Sequence, residues 1–113
     1  MGTRWRGTTL AAAVALALSP GSAAAQPRPG VTIQTFQFKP MPIEVPAGSK
    51  VTFTNQDDIT HTVTSGTPES RDGRFSHQLP GKGATATVEL TLPGVYPYFC
   101  ERHRSMRGEI HVK

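Results

Sequence analysis

Cysteine occurs once in the chain, at Cys100. An intramolecular disulfide is therefore excluded, and whatever stiffens the fold must be something else. No stretch after the N-terminal region keeps a helical hydrophobic period over the dozen or so residues that a helix requires. The apolar run at residues 10–18 has nine residues, too few to cross a bilayer core that needs about 20. Charge of one sign is also scarce. Leaving aside Arg4 and Arg6, ten basic side chains face eight acidic ones, too even a balance for a nucleic-acid footprint.

The first 25 residues have the layout of a secretory signal. "MGTRWRGTT" carries two arginines and no acid, "LAAAVALAL" is a brief apolar core, and "SPGSAAA" ends in small residues before Gln26. Trp5 separates Arg4 from Arg6, so a twin-arginine signal is not supported, and no cysteine near the junction offers a lipid anchor. Residues 1–25 are thus expected to be cleaved. Residues 26–113 remain as one small exported domain with a single core, in the periplasm or secreted, with no membrane insertion.

Within that domain the pattern is β. Short runs rich in β-branched and aromatic residues are punctuated by proline and glycine: "VTIQTFQF" (31–38), "IEV" (43–45), "KVTFTN" (50–55), "HTVT" (61–64), "TATVELTL" (85–92), "VYPYF" (95–99) and "GEIHVK" (108–113). The apolar parity switches between Ile33 and Phe36, which predicts a bulge or bend. Residues 65–83, with few side chains to bury, read as a long irregular connection of the kind a Greek key needs. The expected fold is an all-β Greek-key β-sandwich of about seven to eight strands.

The chemistry concentrates in "YPYFCERHRSMRGEI" (96–110). His103 follows Cys100 by three residues, and Met106 follows His103 by three more. A tight turn brings residues at that spacing within about 7 Å, so one loop can aim a thiolate, an imidazole and a thioether at a common point. These soft or borderline donors suit copper rather than calcium or magnesium. A fourth ligand should come from elsewhere. Of His61, His77 and His111, His61 opens a strand after the turn-rich "NQDDIT", whereas His77 falls in the long connection with a solvated role and His111 sits on the surface of the last strand. His61, Cys100, His103 and a weak axial Met106 make the donor set of a blue-copper site.

"VTFTNQDDITHTV" followed by "PGVYPYFCERHRSMRGEIHV" resembles the cupredoxins, in particular the plastocyanin and amicyanin group, and the likeness extends over 31–113. The resemblance implies one copper held by His61, Cys100, His103 and Met106, and it implies that the backbone N–H of Thr62 donates to the Cys100 sulfur. It further implies a non-enzymatic, monomeric one-electron carrier whose loop histidine, His103, is the electron port. Its partners would be redox proteins, a c-type cytochrome or a dehydrogenase. Two positions depart from the amicyanin-like loop: Arg102 and Arg104 stand where proline is usual.

Within residues 26–113, all excess positive charge lies in residues 100–113, where Arg102, Arg104, Arg107 and Lys113 outnumber Glu101 and Glu109. These cations would rim the site and favour an acidic partner surface. Rival readings fit less well. Methionine is a poor fourth ligand for a structural zinc. A cysteine hydrolase needs an orienting residue for its histidine, and the sequence pattern marks none. A multicopper enzyme needs more histidines, and a metal-free module leaves the Cys-His-Met spacing unexplained. A periplasmic copper carrier that delivers its metal to another protein uses the same residues and stands as the alternative.

Overall fold

The computed structural model describes residues 29–113, and the expected signal at residues 1–25 lies outside the described residues. Among the described residues, nine strands form two sheets: β1 (Gly30–Gln34), β2 (Gln37–Lys39), β3 (Ile43–Val45), β4 (Ser49–Asn55), β5 (His61–Thr67), β6 (Ser70–Leu79), β7 (Thr85–Leu90), β8 (Gly94–Phe99) and β9 (Arg107–Val112). One sheet has the order β2-β1-β4-β7 and the other β3-β9-β8-β5-β6. The pairs β1–β4 and β3–β9 are parallel and the rest antiparallel.

Alternation along each strand supplies the core. Val31, Ile33, Val51, Phe53, Val88 and Leu90 face inward from one sheet, against Val63, Leu79, Tyr96, Tyr98, Ile110 and Val112 from the other. Tyr98 sits at the centre, with Phe38 and Phe53 edge-on at ring separations of 4.7 and 5.1 Å. Such contacts add about 0.5–1.5 kcal/mol each beyond area burial.

One expectation is sharpened and one needs correction. The parity switch after Ile33 is the expected bend and not a bulge: the chain reverses in a tight two-residue turn. Gln34 pairs with Gln37, and Thr35 and Phe36 both adopt positive φ, at 54° and 59°. Residues 65–83 are not an irregular connection, because β6 occupies Ser70–Leu79 and carries His77 half-buried within a strand. The loop-like composition has a physical cause. Thr64 pairs with Ser76 and Gly66 with Arg71, so Ser65 alone opposes the four residues Asp72–Phe75. The excursion turns on Gly73, at φ 73°, and the Asp72 carboxylate accepts the Arg74 N–H. Ser65 patches the broken ladder: its hydroxyl accepts the Phe75 N–H at 2.9 Å and donates to the Phe75 carbonyl at 3.1 Å. With β2 and β6 counted, the sandwich has nine strands instead of seven or eight.

Gly66 makes the buckled hairpin possible. Its φ is 101°, and a Cβ there would lie 2.5–2.8 Å from three backbone atoms of Ser70, Arg71 and Asp72. Backbone cannot yield as a side-chain tip does. Gly66→Ala is expected to destabilise the protein by about 3 kcal/mol or more. Gly73→Ala, with open space around it, should cost about 1–2 kcal/mol from its φ alone. Equal denaturation midpoints for the two variants would contradict this assignment.

Candidate metal centre

The β5–β8 pairing builds the site. Thr64 pairs with Phe99 and Ser65 with Tyr98. Carried onward, that register brings His61, at the start of β5, near Cys100, the residue directly after β8. Thr62 clamps the junction. Its backbone N–H donates to Cys100 Sγ at 3.4 Å, as the resemblance implied, and its hydroxyl accepts the Glu101 N–H at 2.8 Å. The Thr62 hydroxyl continues to Thr64 along β5 and then to Ser76 on β6, a chain of hydroxyls across two strands.

Residues 100–106 form a loop closed at its neck. Cys100 N–H donates to the Met106 carbonyl at 3.1 Å, and Met106 N–H donates to the His103 carbonyl at 2.9 Å. Cys100 and Met106 are buried at the two ends of the neck, and His103 is half-buried between exposed Arg102 and Arg104.

His61 Nδ1 lies 3.7 Å from Cys100 Sγ and His103 Nδ1 lies 3.8 Å from it. The donor atoms of all three residues fall within 4.8 Å of one another. A sulfur and an imidazole nitrogen sharing one first-row ion, at about 2.3 and 2.0–2.1 Å and about 120° apart, would stand about 3.8 Å from each other. The spacing therefore fits a single ion. His61 and Cys100 are fully buried, so water has little access to the thiolate side.

A model for copper-binding proteins of the plastocyanin/azurin family matches residues 25–113. The chain belongs to that family. Plastocyanin A/B of Petroselinum crispum is 34% identical over 83 residues, spanning 66% of this chain and 86% of the relative. Amicyanin-alpha of Methylorubrum extorquens is 28% identical over 83 residues, spanning 74% and 70%. Among solved structures, a purple cupredoxin from Nitrosopumilus maritimus superposes with a TM-score of 0.69 at 23% identity, covering 75% of this chain and 99% of that one. A reduced Cu(I) amicyanin gives 0.65 at 24% identity, covering 81% and 88%. This cupredoxin accordingly binds one copper, and the cluster of His61, Cys100 and His103 is the candidate site for it.

The sequence did not reveal what surrounds His61. Asn55, fully buried, donates through Nδ2 to the carbonyls of Ile59 at 2.8 Å and Leu79 at 3.1 Å. Its Oδ1 accepts the Asp57 N–H at 2.9 Å. Asp57 in turn places a carboxylate oxygen 2.8 Å from His61 Nε2. Burial alone would raise the Asp57 carboxyl, but N–H bonds from Phe36 and Thr35, with His61 beside it, hold it below its ordinary value of 3.8. Phe36 lies edge-on to both imidazoles, 5.5 Å from His61 and 5.0 Å from His103. The available signal was an aspartate four residues before the histidine in a turn-rich loop. Nothing in the sequence marked Phe36.

Other candidates stay apart. His111, at the partly exposed position expected on the last strand, lies 3.1 Å from the Glu109 carboxylate, and His77 is on β6; neither joins the cluster. Arg107 is not a free rim cation, because it pairs with Glu69 at 2.9 Å, and Glu101 is taken up by Arg71 at 2.9 Å.

Asn55→Ala would strand two carbonyls and the Asp57 N–H. It is expected to cost about 3 kcal/mol in metal-free protein, and a loss under 1 kcal/mol would refute the network's importance. A depressed carboxyl contributes stability that is fully present above its unfolded value and is lost as pH falls through its folded value. Metal-free protein should therefore weaken below about pH 4, with a shallower acid limb in Asp57→Asn. Identical acid limbs would show that the carboxylate is not engaged.

Proposed function

We propose that the protein is an exported one-electron carrier holding one copper through His61, Cys100 and His103, with Met106 as a weak axial fourth. The observation that carries the reading is the convergence of two imidazole nitrogens and one sulfur, with a backbone N–H already aimed at that sulfur. Copper supplies one-electron exchange between Cu(II) and Cu(I). The chain's part is to keep the donors in place through both states. His61 belongs to β5 and Cys100 follows β8, so their spacing is fixed by a paired sheet rather than by the loop. Little needs to move on electron transfer, and the barrier stays low.

His103 is the ligand nearest solvent and the proposed electron port. Arg102 and Arg104 flank it, exposed and without an ion-pair partner among the described residues. They would steer an acidic redox partner, such as a c-type cytochrome or a dehydrogenase. Export rests on the signal-like layout of residues 1–25. Copper delivery is the competing reading. It is less favoured because Met41 is the sole exposed methionine among the described residues, whereas a delivery protein would present a cluster of such donors.

Cu(II) added to the purified chain should give intense visible absorption and a single-copper paramagnetic signal, both stable against a weak chelator. Rapid loss to that chelator would favour delivery. Cys100→Ser should abolish the intense band, and a surviving band would mean that the ligands are wrongly assigned. Arg104→Glu should slow electron transfer to an acidic partner about 3–10-fold at low salt and much less at high salt. An unchanged rate and salt slope would remove the steering role.

A further inference from the structure

Asp57 touches three things at once. One oxygen, Oδ1, accepts the Thr35 N–H at 2.8 Å, and the other, Oδ2, accepts the Phe36 N–H at 3.0 Å. Oδ2 also lies 2.8 Å from His61 Nε2. Both turn residues sit in the left-handed region, at φ 54° and 59°, which L-residues rarely adopt because Cβ crowds the following carbonyl oxygen. Two-residue hairpin turns of this kind normally use Asn-Gly or Gly-Gly. Here Thr-Phe occupies the turn, and a carboxylate binding both of its amides offsets the strain. The result is a side chain, Phe36, that is half exposed yet set edge-on against both histidines of the cluster.

We propose that Asp57 is a positioning residue of the copper centre: one carboxylate holds the Nε2–H of His61, fixes the Thr35–Phe36 turn that covers both imidazoles, and biases the copper toward its oxidised state. The inference rests on His61 being a ligand through Nδ1, the nitrogen that faces Cys100. With Nδ1 committed to the metal side, the remaining ring proton must sit on Nε2, where it donates to Asp57. An imidazole that donates to an anion is a stronger electron donor to its metal. The negative charge one ring away also stabilises the more positive ion. Both effects act in the same direction and lower the reduction potential. A neutral backbone carbonyl at the same place would supply the orientation without the charge.

Asp57→Asn keeps the shape and removes the charge, while Asn Nδ2 cannot accept an amide proton. Voltammetry of the copper-loaded variant should show a higher potential. The expected size is about a tenfold change in relative Cu(II) and Cu(I) affinity, which is about 59 mV for a one-electron couple. The visible band should stay close to its wild-type position, separating loss of charge from loss of ligation. A copper-loaded variant with an unchanged or lowered potential overturns the proposal.

Should the variant fail to fold, nitrogen-15 spectra of metal-free wild-type protein at about pH 8, above the ordinary imidazole range, decide the matter. A slowly exchanging proton on His61 Nε2 supports it, and a proton on Nδ1 or a rapidly exchanging one overturns it. Wild-type protein that takes up no copper would sink the parent reading instead, an outcome that the tautomer measurement distinguishes.

Discussion

The antiparallel register of β5 against β8 is the constraint on which the site depends. With Thr64 opposite Phe99, the start of one strand and the end of the other meet at the same end of the sheet. Neither His61 nor Cys100 has to be drawn into place by a metal. Their separation is set by ladder hydrogen bonds and by a core in which Tyr98, Ile110, Phe53 and Val63 are almost wholly buried. Displacing either donor by even an ångström would mean shearing a packed sheet, and close-packed interiors resist that strongly. The loop 100–106 adds the third donor and the buried methionine from a seven-residue segment. It is rigid for a different reason: one backbone bond, from Cys100 to Met106, closes its neck, and a second, from Met106 to His103, ties the turn inside it.

Much of this was legible in the sequence because it depends on spacing and alternation. The intervals Cys100–His103–Met106 need only a tight turn, and clean alternation in "KVTFTN" and "TATVELTL" marked β4 and β7. What escaped detection depends on side chains substituting for backbone. At β6, "SRDGRF" has the composition of a loop because part of it is one: a four-residue excursion opposite a single serine whose hydroxyl replaces the missing ladder bonds. Thr35 and Phe36 are poor residues for a left-handed turn, and their conformation follows from a carboxylate 21 and 22 residues away. A local pattern cannot register a cause that distant. The Arg107–Glu69 pair, 38 residues apart, was hidden for the same reason.

The electrostatics of the exposed face change once those pairs are known. Residues 100–113 carry the net positive charge, but Glu69 and Arg71, at the tip of the β5–β6 hairpin, are tied to that segment through Arg107 and Glu101. Both pairs are at least partly solvated, so each contributes little to stability. Their larger effect is on the shape of the field: the charge that remains uncompensated is narrowed to Arg102 and Arg104, on either side of His103. A narrow positive spot orients an approaching acidic surface better than a broad one of equal charge, because encounter is favoured in fewer poses.

The two departures from the amicyanin-like loop can then be weighed against the rest of the centre. Proline on either side of the loop histidine would stiffen the segment by fixing φ. Arginine gives that up, and the stiffness must come from elsewhere. The closed neck supplies part of it. Phe36 supplies more, pressing on His103 from the neighbouring sheet while Asp57 holds the turn beneath it. In this protein the ligand loop is braced from outside by an aromatic and a carboxylate, which leaves its own flanking positions available for charge. On the proposed reading, rigidity at the copper falls to Phe36, Asp57 and the closed neck, and recognition at the surface falls to Arg102 and Arg104.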